Sequence, residues 1–160
     1  MDDVLVALTL VTALGCALSA GALFTFSSFV MRALARLPAP QGIAAMQSIN
    51  VQAVTPVFMT ALFGTAVLCL AVGVWALADW NDTYGPWLLA GGALYVAGPV
   101  GLTMTYHVPR NNALARVEAT NHDAEAHWRR YVAEWTRMNH VRVAGGLAAA
   151  AALMEALYVA

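Results

Sequence analysis

Several polar side chains of this apolar chain are of types that take part in acid–base chemistry and in the stabilisation of oxyanions. The residues predicted to act in catalysis are His107, His140, Asn50, Asn139 and Arg142. A neutral imidazole suits the role of general base, because its pKa lies near working pH. Amide and guanidinium donors can stabilise an oxygen that becomes negative during a reaction. These residue types fit removal of a proton from a substrate and stabilisation of the resulting anion.

The stretch WRRYVAEWTRMNHVR, residues 128–142, concentrates aromatic and basic residues. Its large aromatic residues and Asn139 recur at steps of three and four, so on a helix they share one face. Flat side chains on one face could stack against a polycyclic ligand, or they could only anchor the chain at a membrane interface. The residues predicted to bind a substrate are aromatic or carry a side-chain amide: Gln47, Asn111, Trp128, Tyr131 and Trp135.

Long stretches with almost no charge determine the class of protein. Of the 160 residues, 61% are hydrophobic and only 11% are charged, which is outside the range of an ordinary soluble domain. A helix of roughly 18 or more apolar residues is long enough to cross a bilayer and satisfies its own backbone hydrogen bonds there. The predicted spans cover residues 4–31, 51–78, 86–107 and 140–160.

The distribution of charge predicts the orientation. All eight basic residues are Arg. Arg32 and Arg36 follow span one, and the other six lie from His107 to Arg142, around the start of span four. Basic residues concentrate in cytoplasmic loops, so we expect a multi-pass protein of the cell membrane with both termini extracytoplasmic. The arginines are interleaved with acidic residues, which argues against a nucleic-acid partner. The lipid bilayer is the expected partner, and the chain could also form a homo-oligomer.

The predicted fold is all-α. We expect a single transmembrane domain, residues 1–160, that forms an up-down-up-down four-helix bundle. An additional amphipathic cytoplasmic helix, from about Asn121 to His140, is predicted within the segment 108–139 before the last span. Small residues recur at four-residue spacing in spans one and four, which would let the helices approach closely.

Two prolines should disturb the helices that contain them. Pro56 would do so in a helix that begins near Gln41, and Pro99 would do so in span three. Each proline frees a backbone carbonyl, which must find another partner or line a cavity. The alternative is a bend that only shapes the packing.

Most polar residues near the spans lie at the predicted cytoplasmic ends. Polar groups near a membrane are costly unless they are paired or functional, so this one-sided cluster predicts a pocket between the helices there. Each residue also has a purely structural explanation. The histidines could be interfacial, Asn50 could form an interhelical hydrogen bond, and Arg142 could be an ordinary cytoplasmic charge.

Three segments resemble the anthrone oxygenase-like family of small membrane proteins. They are MQSIN before span two, HVPRNNAL after span three and W..Y...W...N..R leading into span four. The resemblance covers nearly the whole chain and implies a four-span helical membrane protein. Fungal relatives are linked to the oxidation of anthrones to anthraquinones with O₂. We therefore expect an enzyme, a membrane-embedded oxygenase acting on an anthrone-like or other polycyclic phenolic substrate.

Enolate oxidation is the chemistry that fits this resemblance. Removing a proton from the CH₂ group of an anthrone gives an electron-rich anion that can donate an electron to O₂ without flavin, haem or metal. The sequence has no Gly-rich nucleotide loop, no C-x-x-C-H and no H-E-x-x-H motif. We expect no cofactor, O₂ as co-substrate, a hydrophobic aromatic small molecule as ligand, and His107 or His140 as the base.

Two other functions stay open at this point. The chain could be a redox membrane protein that binds haem or a metal ion, with His107 and His140 as ligands from neighbouring helices. It could also be a non-enzymatic membrane subunit whose aromatic face docks a partner protein.

Overall fold

The structure is a computed structural model that describes residues 1–118 and 123–160. Its helices are α1 (Asp3–Leu34), α2 (Ala39–Gln52), α3 (Pro56–Ala78), α4 (Gly85–Leu114) and α5 (Ala124–Tyr158). The described residues contain no strand. All helices except α2 are long and apolar enough to cross a membrane. The all-α class and the four membrane-length helices are confirmed, whereas the up-down-up-down order stays a prediction.

Side-chain oxygens mark the starts of α1 and α3. The Asp2 carboxylate accepts a hydrogen bond from the backbone N–H of Leu5 at 2.8 Å, and the Thr55 hydroxyl accepts one from the N–H of Phe58 at 3.2 Å. Each oxygen satisfies a donor that has no partner inside its helix. Pro56 occupies the first turn of α3, where its missing N–H removes no helical hydrogen bond.

The expected disturbance of a helix by Pro56 is therefore wrong. The chain leaves the helical conformation between Gln52 and Pro56, so α2 and α3 are separate helices. The second membrane-length helix begins at Pro56 rather than near residue 51. The four-span prediction did not contain α2, which is too short and too polar to have been counted as a span.

Widened, π-helical turns interrupt three of the membrane-length helices. They cover Phe26–Val30, Thr60–Gly64, Val96–Gly101 and Thr103–His107. Pro99 lies inside the third, so its predicted effect on the helix takes the form of a widened turn. Each such turn changes the face that the following residues present, and turns of this kind are frequent at functional sites.

The long helix α5 joins two elements that were expected to be separate. It runs from Ala124 to Tyr158 without a break, so the predicted cytoplasmic helix and the fourth span are two halves of one helix. No proline lies between these residues to end it. Asn121, where the cytoplasmic helix was expected to begin, lies outside the described residues.

The buried apolar residues form two clusters. One is rich in Ala and Cys, and we call it the small-residue core: Leu5, Ala13, Cys16, Leu62, Ala66, Cys69, Val72, Ala76, Leu88, Tyr95, Ala149, Ala150, Leu153 and Ala156. The other contains three large aromatic residues, and we call it the aromatic core: Met31, Leu34, Ile43, Met46, Leu114, Ala124, Trp128, Tyr131 and Trp135.

Helix backbones approach closely around the small-residue core. A Cβ atom at Gly92 would lie 3.0 Å from the backbone oxygen of Cys69, and one at Gly98 would lie 3.3 Å from the Cα of Gly145. Side chains this small permit close packing of helices in lipid, where no hydrophobic effect drives the helices together.

In the aromatic core, α2 packs against α5. The Trp128 ring lies so close to Gly42 that a Cβ atom there would be 2.7 Å from the indole. Trp128 also stacks on Tyr131, with ring centroids 5.8 Å apart and an interplanar angle of 14°. Because α2 is fixed in this way, its later residues are positioned beside the ends of α1 and α4.

Candidate functional site

A cavity of about 520 Å³ lies beside the aromatic core and is lined by residues from all five helices. Its polar lining residues are Gln47, Asn50, Thr103, His107, Asn111, Asn112 and Arg142. Much of its apolar wall comes from Leu23, Phe26, Phe58, Met59, Leu62 and Trp135. The volume is within the usual range of small-molecule sites, about 300–1,000 Å³. Phe26, Leu62, Thr103 and His107 all lie in widened helical turns.

Arg142 is the charged group of the cavity. Its side chain is buried, with 4% of the residue exposed, and its hydrogen-bond partners are neutral. One terminal nitrogen donates to the Thr103 hydroxyl at 2.9 Å, while Nε and the other terminal nitrogen donate to Oδ1 of Asn139 at 3.1 and 2.5 Å. Within residues 1–118 and 123–160, no carboxylate forms an ion pair with Arg142. The cavity wall therefore carries a positive charge without a protein counter-ion.

Asn139 connects Arg142 to α1. The residue is fully buried, and its amide nitrogen donates to the Leu23 backbone oxygen at 2.7 Å and to the Ser27 hydroxyl. Its carbonyl oxygen accepts from Arg142. The prediction that Asn139 donates to a substrate oxygen is wrong, since the protein already uses its amide protons and Asn139 does not line the cavity.

His107 presents two free ring nitrogens in a buried position. Only 1% of the residue is exposed, and neither nitrogen forms a hydrogen bond. The Met138 backbone lies near the ring but outside hydrogen-bond geometry. The imidazole packs edge-on against Trp135, with ring centroids 4.9 Å apart and an interplanar angle of 81°. A buried polar group without a partner is costly, so its retention at a cavity wall points to a role in that cavity.

Asn111 holds two aromatic side chains in place. Its Oδ1 accepts from the Tyr131 hydroxyl at 2.9 Å and from Nε1 of Trp135 at 3.1 Å. The Trp135 ring in turn lies beneath the Arg142 guanidinium, whose carbon is 5.2 Å from the ring centroid. Asn111 thus fixes the orientation of the flat wall that contacts both His107 and Arg142.

Two residues of α2 complete the polar part of the wall. Gln47 donates to the backbone oxygens of Leu114 and Val117 at 2.9 and 3.2 Å, which ties α2 to the end of α4. The Asn50 amide nitrogen is buried and makes no hydrogen bond, although the Tyr131 hydroxyl is nearby. Asn50 therefore supplies a free donor, while Gln47 mainly holds its helix in place.

Comparison with known proteins identifies the family. A family model described as anthrone oxygenase matches residues 55–152, which is more than half of the chain. The chain belongs to the anthrone oxygenase family. The matched region contains Thr103, His107, Asn111, Trp135 and Arg142, whereas α2 with Gln47 and Asn50 precedes it. No curated protein and no solved structure gives a significant match.

The resemblance predicted from the sequence motifs is thus confirmed. The anthrone oxygenase match contains HVPRNNAL and the aromatic stretch of α5, and MQSIN lies before it. Of the ten predicted site residues, six line the cavity: Gln47, Asn50, His107, Asn111, Trp135 and Arg142. Trp128 and Tyr131 are buried behind the wall in the aromatic core, so they support the site and do not face a ligand.

His140 lies outside the site. It is exposed, although its neighbour Asn139 is fully buried, because consecutive residues of a helix point about 100° apart. His140 therefore does not line the cavity with His107, and its predicted role as a base or as a second haem or metal ligand stays a prediction. Among residues 1–118 and 123–160, no group of three or more His, Cys, Asp or Glu side chains is placed to hold a metal ion.

Reasoning from the sequence missed the apolar lining residues of this anthrone oxygenase family member. Leu23, Phe26 and Leu62 face the cavity, and nothing in their types distinguishes them from the lipid-facing residues on the same helices. The widened turns that rotate Phe26 and Leu62 inwards have no clear sequence pattern. Whether an apolar residue faces the cavity or the lipid depends on which side chains the neighbouring helices place beside it.

A second hollow, of about 650 Å³, lies along the outside of α3. Its lining residues are apolar except for the last of them: Val67, Leu70, Ala71, Val74, Trp75, Ala78 and Asp79. A shallow apolar surface of one membrane-length helix is where lipid chains are expected. It contains none of the free polar atoms of the cavity beside Arg142, so we place the functional site at that cavity.

Proposed function

We propose that the cavity binds a planar aromatic substrate of the anthrone type and promotes its oxidation by O₂. One observation carries the proposal: the buried guanidinium of Arg142 and the buried imidazole of His107 line one cavity and contact the same indole. Among the described residues, the guanidinium has no counter-ion and the imidazole has no hydrogen bond. The family match supports the oxygenase type of reaction. No cofactor enters the proposal, and O₂ is the co-substrate.

His107 is the proposed general base. A free ring nitrogen takes a proton from the CH₂ group of the substrate, which leaves an enolate. Arg142 stabilises the enolate oxygen with guanidinium protons that the protein does not use, and Asn50 offers a further donor. Trp135 and Phe26 supply aromatic faces for the ring system. A base and an oxyanion donor in one cavity are the elements that enolate formation requires.

The enolate then reduces O₂. A carbon–oxygen bond forms at the former CH₂ carbon and gives a peroxide anion, which takes the proton from His107 and becomes a hydroperoxide. His107 then removes the second hydrogen of that carbon as a proton, and the electrons of the C–H bond form the carbonyl while the O–O bond breaks and hydroxide leaves. The hydroxide takes this proton from His107 and becomes water. One anthrone and one O₂ thus give one anthraquinone and one water.

The test uses the purified protein in lipid nanodiscs with an anthrone in air-saturated buffer. Oxygen consumption and quinone absorbance are followed together, and protein-free nanodiscs measure the spontaneous oxidation. We expect one O₂ consumed for each quinone formed. The His107→Ala variant should lower kcat/KM by about 10²–10⁴-fold, the usual contribution of a general base.

His140→Ala is the matched control, since it removes an exposed histidine from the same end of the molecule. It should keep the wild-type rate and stoichiometry. Turnover that does not exceed the protein-free rate would refute the oxygenase proposal. Wild-type turnover in His107→Ala would refute the assignment of the base alone.

We also propose that the protein spans the cell membrane with both termini outside and the cavity towards the cytoplasm. The distribution of the arginines supports this orientation. In intact cells, Asp82→Cys should react with a membrane-impermeant maleimide, and Arg116→Cys should react only after permeabilisation. Both native cysteines are buried and give a low background. The reverse labelling pattern would overturn the orientation.

A further inference from the structure

We infer that the cavity is built for a ligand that bears a negative charge, and that Asn139 is a positioning residue that aims Arg142 without neutralising it. The inference rests on the proposed function for the location of the site. It goes further because it specifies the charge of the ligand and explains why an amide occupies position 139.

The charge of Arg142 determines which ligands suit the cavity. A guanidinium remains protonated in proteins, and a buried ion without an opposite charge costs several kcal/mol. The nearest acidic residue of α5 in sequence is Glu134, whose carboxylate lies 3.4 Å from both Arg110 and Arg130. Glu125 pairs with Arg129. These carboxylates are used elsewhere, so a bound anion is the partner that Arg142 lacks.

The hydrogen bonds of Asn139 explain why position 139 carries an amide and not a carboxylate. An aspartate at this position would accept from Arg142 equally well and would cancel its charge. It could not donate to the Leu23 backbone oxygen, which receives an amide proton of Asn139 at 2.7 Å. A carboxylate oxygen would instead face that carbonyl oxygen. The contact with α1 therefore favours an amide, and the amide leaves the positive charge of Arg142 available to a ligand.

The geometry of Arg142 indicates the kind of anion. A guanidinium has five N–H donors, and the three hydrogen bonds to Thr103 and Asn139 leave two for a ligand. Trp135 lies beneath the guanidinium, and its indole lines the same cavity. A planar aromatic molecule that carries a carboxylate, a phenolate or an enolate oxygen satisfies both groups at once.

The test measures the binding of two matched probes that cannot be oxidised at a CH₂ group. Anthraquinone-2-carboxylate and anthraquinone-2-carboxamide have the same ring system and nearly the same shape, and only the first is charged. Titration of the protein in nanodiscs, followed by quenching of Trp fluorescence and corrected with empty nanodiscs, gives both Kd values. We expect the carboxylate to bind about 10–100-fold more tightly, the effect of one charge-assisted hydrogen-bonded pair.

Three variants test the origin of this preference. Arg142→Gln and Asn139→Asp should each bring the two Kd values to within about threefold of each other, a free-energy difference of about 0.7 kcal/mol. His140→Ala, one residue from Asn139 and exposed, should keep the wild-type preference. Size-exclusion profiles and helical circular dichroism identify any variant that does not fold, and Arg142→Gln decides the question if Asn139→Asp fails.

Two results would overturn the inference: equal binding of both probes by the wild type, or an undiminished preference in folded Arg142→Gln. An undiminished preference in folded Asn139→Asp would remove the positioning role of Asn139. The proposed function can fail separately. Preference for the carboxylate without anthrone oxidation would leave an anion site in a protein that is not an oxygenase, and oxidation without charge preference would refute only the present inference.

Discussion

The small-residue core and the aromatic core hold helices together by different kinds of contact. Around the first, glycine, alanine and cysteine bring helix backbones together, and the Sγ atoms of Cys16 and Cys69 lie 3.8 Å apart. In the second, indole and phenol rings cross between helices and are oriented by hydrogen bonds to Asn111. Long side chains keep backbones apart, and the cavity of about 520 Å³ lies beside them. Helix backbones thus touch in the first region, whereas a cavity lies beside the side-chain contacts of the second.

The polar groups of the two regions differ as well, although the Thr9 hydroxyl, between Leu5 and Ala13 on α1, is also buried without a hydrogen bond. Tyr95, in the small-residue core, has its hydroxyl within 2.8 Å of the Ser19 hydroxyl and 3.1 Å of the Leu62 backbone oxygen, so it is satisfied by the protein. Beside the aromatic core, His107 and Asn50 retain buried atoms without hydrogen bonds. Buried polar atoms that the protein does not satisfy are expected where a ligand satisfies them.

The sharpest test of this comparison removes the ring that joins α2 to α5. Trp128→Ala should cost about 3–5 kcal/mol of local stability, the usual effect of deleting a buried aromatic side chain. Hydrogen exchange should accelerate in residues 39–52, because α2 loses its main contact, and should change little in the small-residue core. Mass spectrometry of exchanged peptides measures both regions in one experiment.

Trp87→Ala provides the control for this experiment, since Trp87 is 43% exposed at the start of α4. It should leave exchange in α2 at the wild-type level. Unchanged protection of α2 in Trp128→Ala would show that α2 does not depend on the aromatic core. Equal acceleration throughout the protein would show that the two regions are one cooperative unit.

A smaller effect is expected from adding one methyl group where helices meet. In Gly92→Ala the new Cβ would lie 3.0 Å from the backbone oxygen of Cys69, and overpacking of this kind costs about 1–3 kcal/mol. The midpoint of unfolding by SDS should fall accordingly. Binding of the anthraquinone probes by the folded protein should persist, because Gly92 does not line the cavity.

Gly21→Ala is the matched substitution, since a Cβ atom there would meet nothing within 4 Å. Both substitutions gain about 1 kcal/mol of helix propensity, so their difference isolates the contact with α3. Gly21→Ala should keep or raise the unfolding midpoint. Equal shifts in the two variants would contradict the close packing that distinguishes the small-residue core.

Several residues of the site could be predicted from the sequence, because they have reactive or hydrogen-bonding side chains and lie where a membrane protein seldom has polar residues. Asn50, His107 and Arg142 are polar residues next to apolar stretches, where polarity is costly and therefore informative. Asn139 was recognised for the same reason, but its role was not, since the direction of its amide depends on Leu23 and Ser27, more than 100 residues away in sequence. His140 is the opposite case. Its residue type suggested a catalytic role, but its position on α5 places it on the exposed side of the helix.

The sequence by itself determined the membrane class and the four long helices, because the length of an apolar run and the need to satisfy backbone hydrogen bonds in lipid are local properties. It also determined the family, through residues whose types and spacing can be read along the chain. Only the tertiary structure decided that α2 is a separate helix against α5 and that widened turns rotate Phe26 and His107 to the cavity wall. It also decided that no carboxylate of the described part of the chain pairs with Arg142. These features depend on which atoms meet across helices that are distant in sequence. Such contacts cannot be read from the types of the residues or from their spacing along the chain.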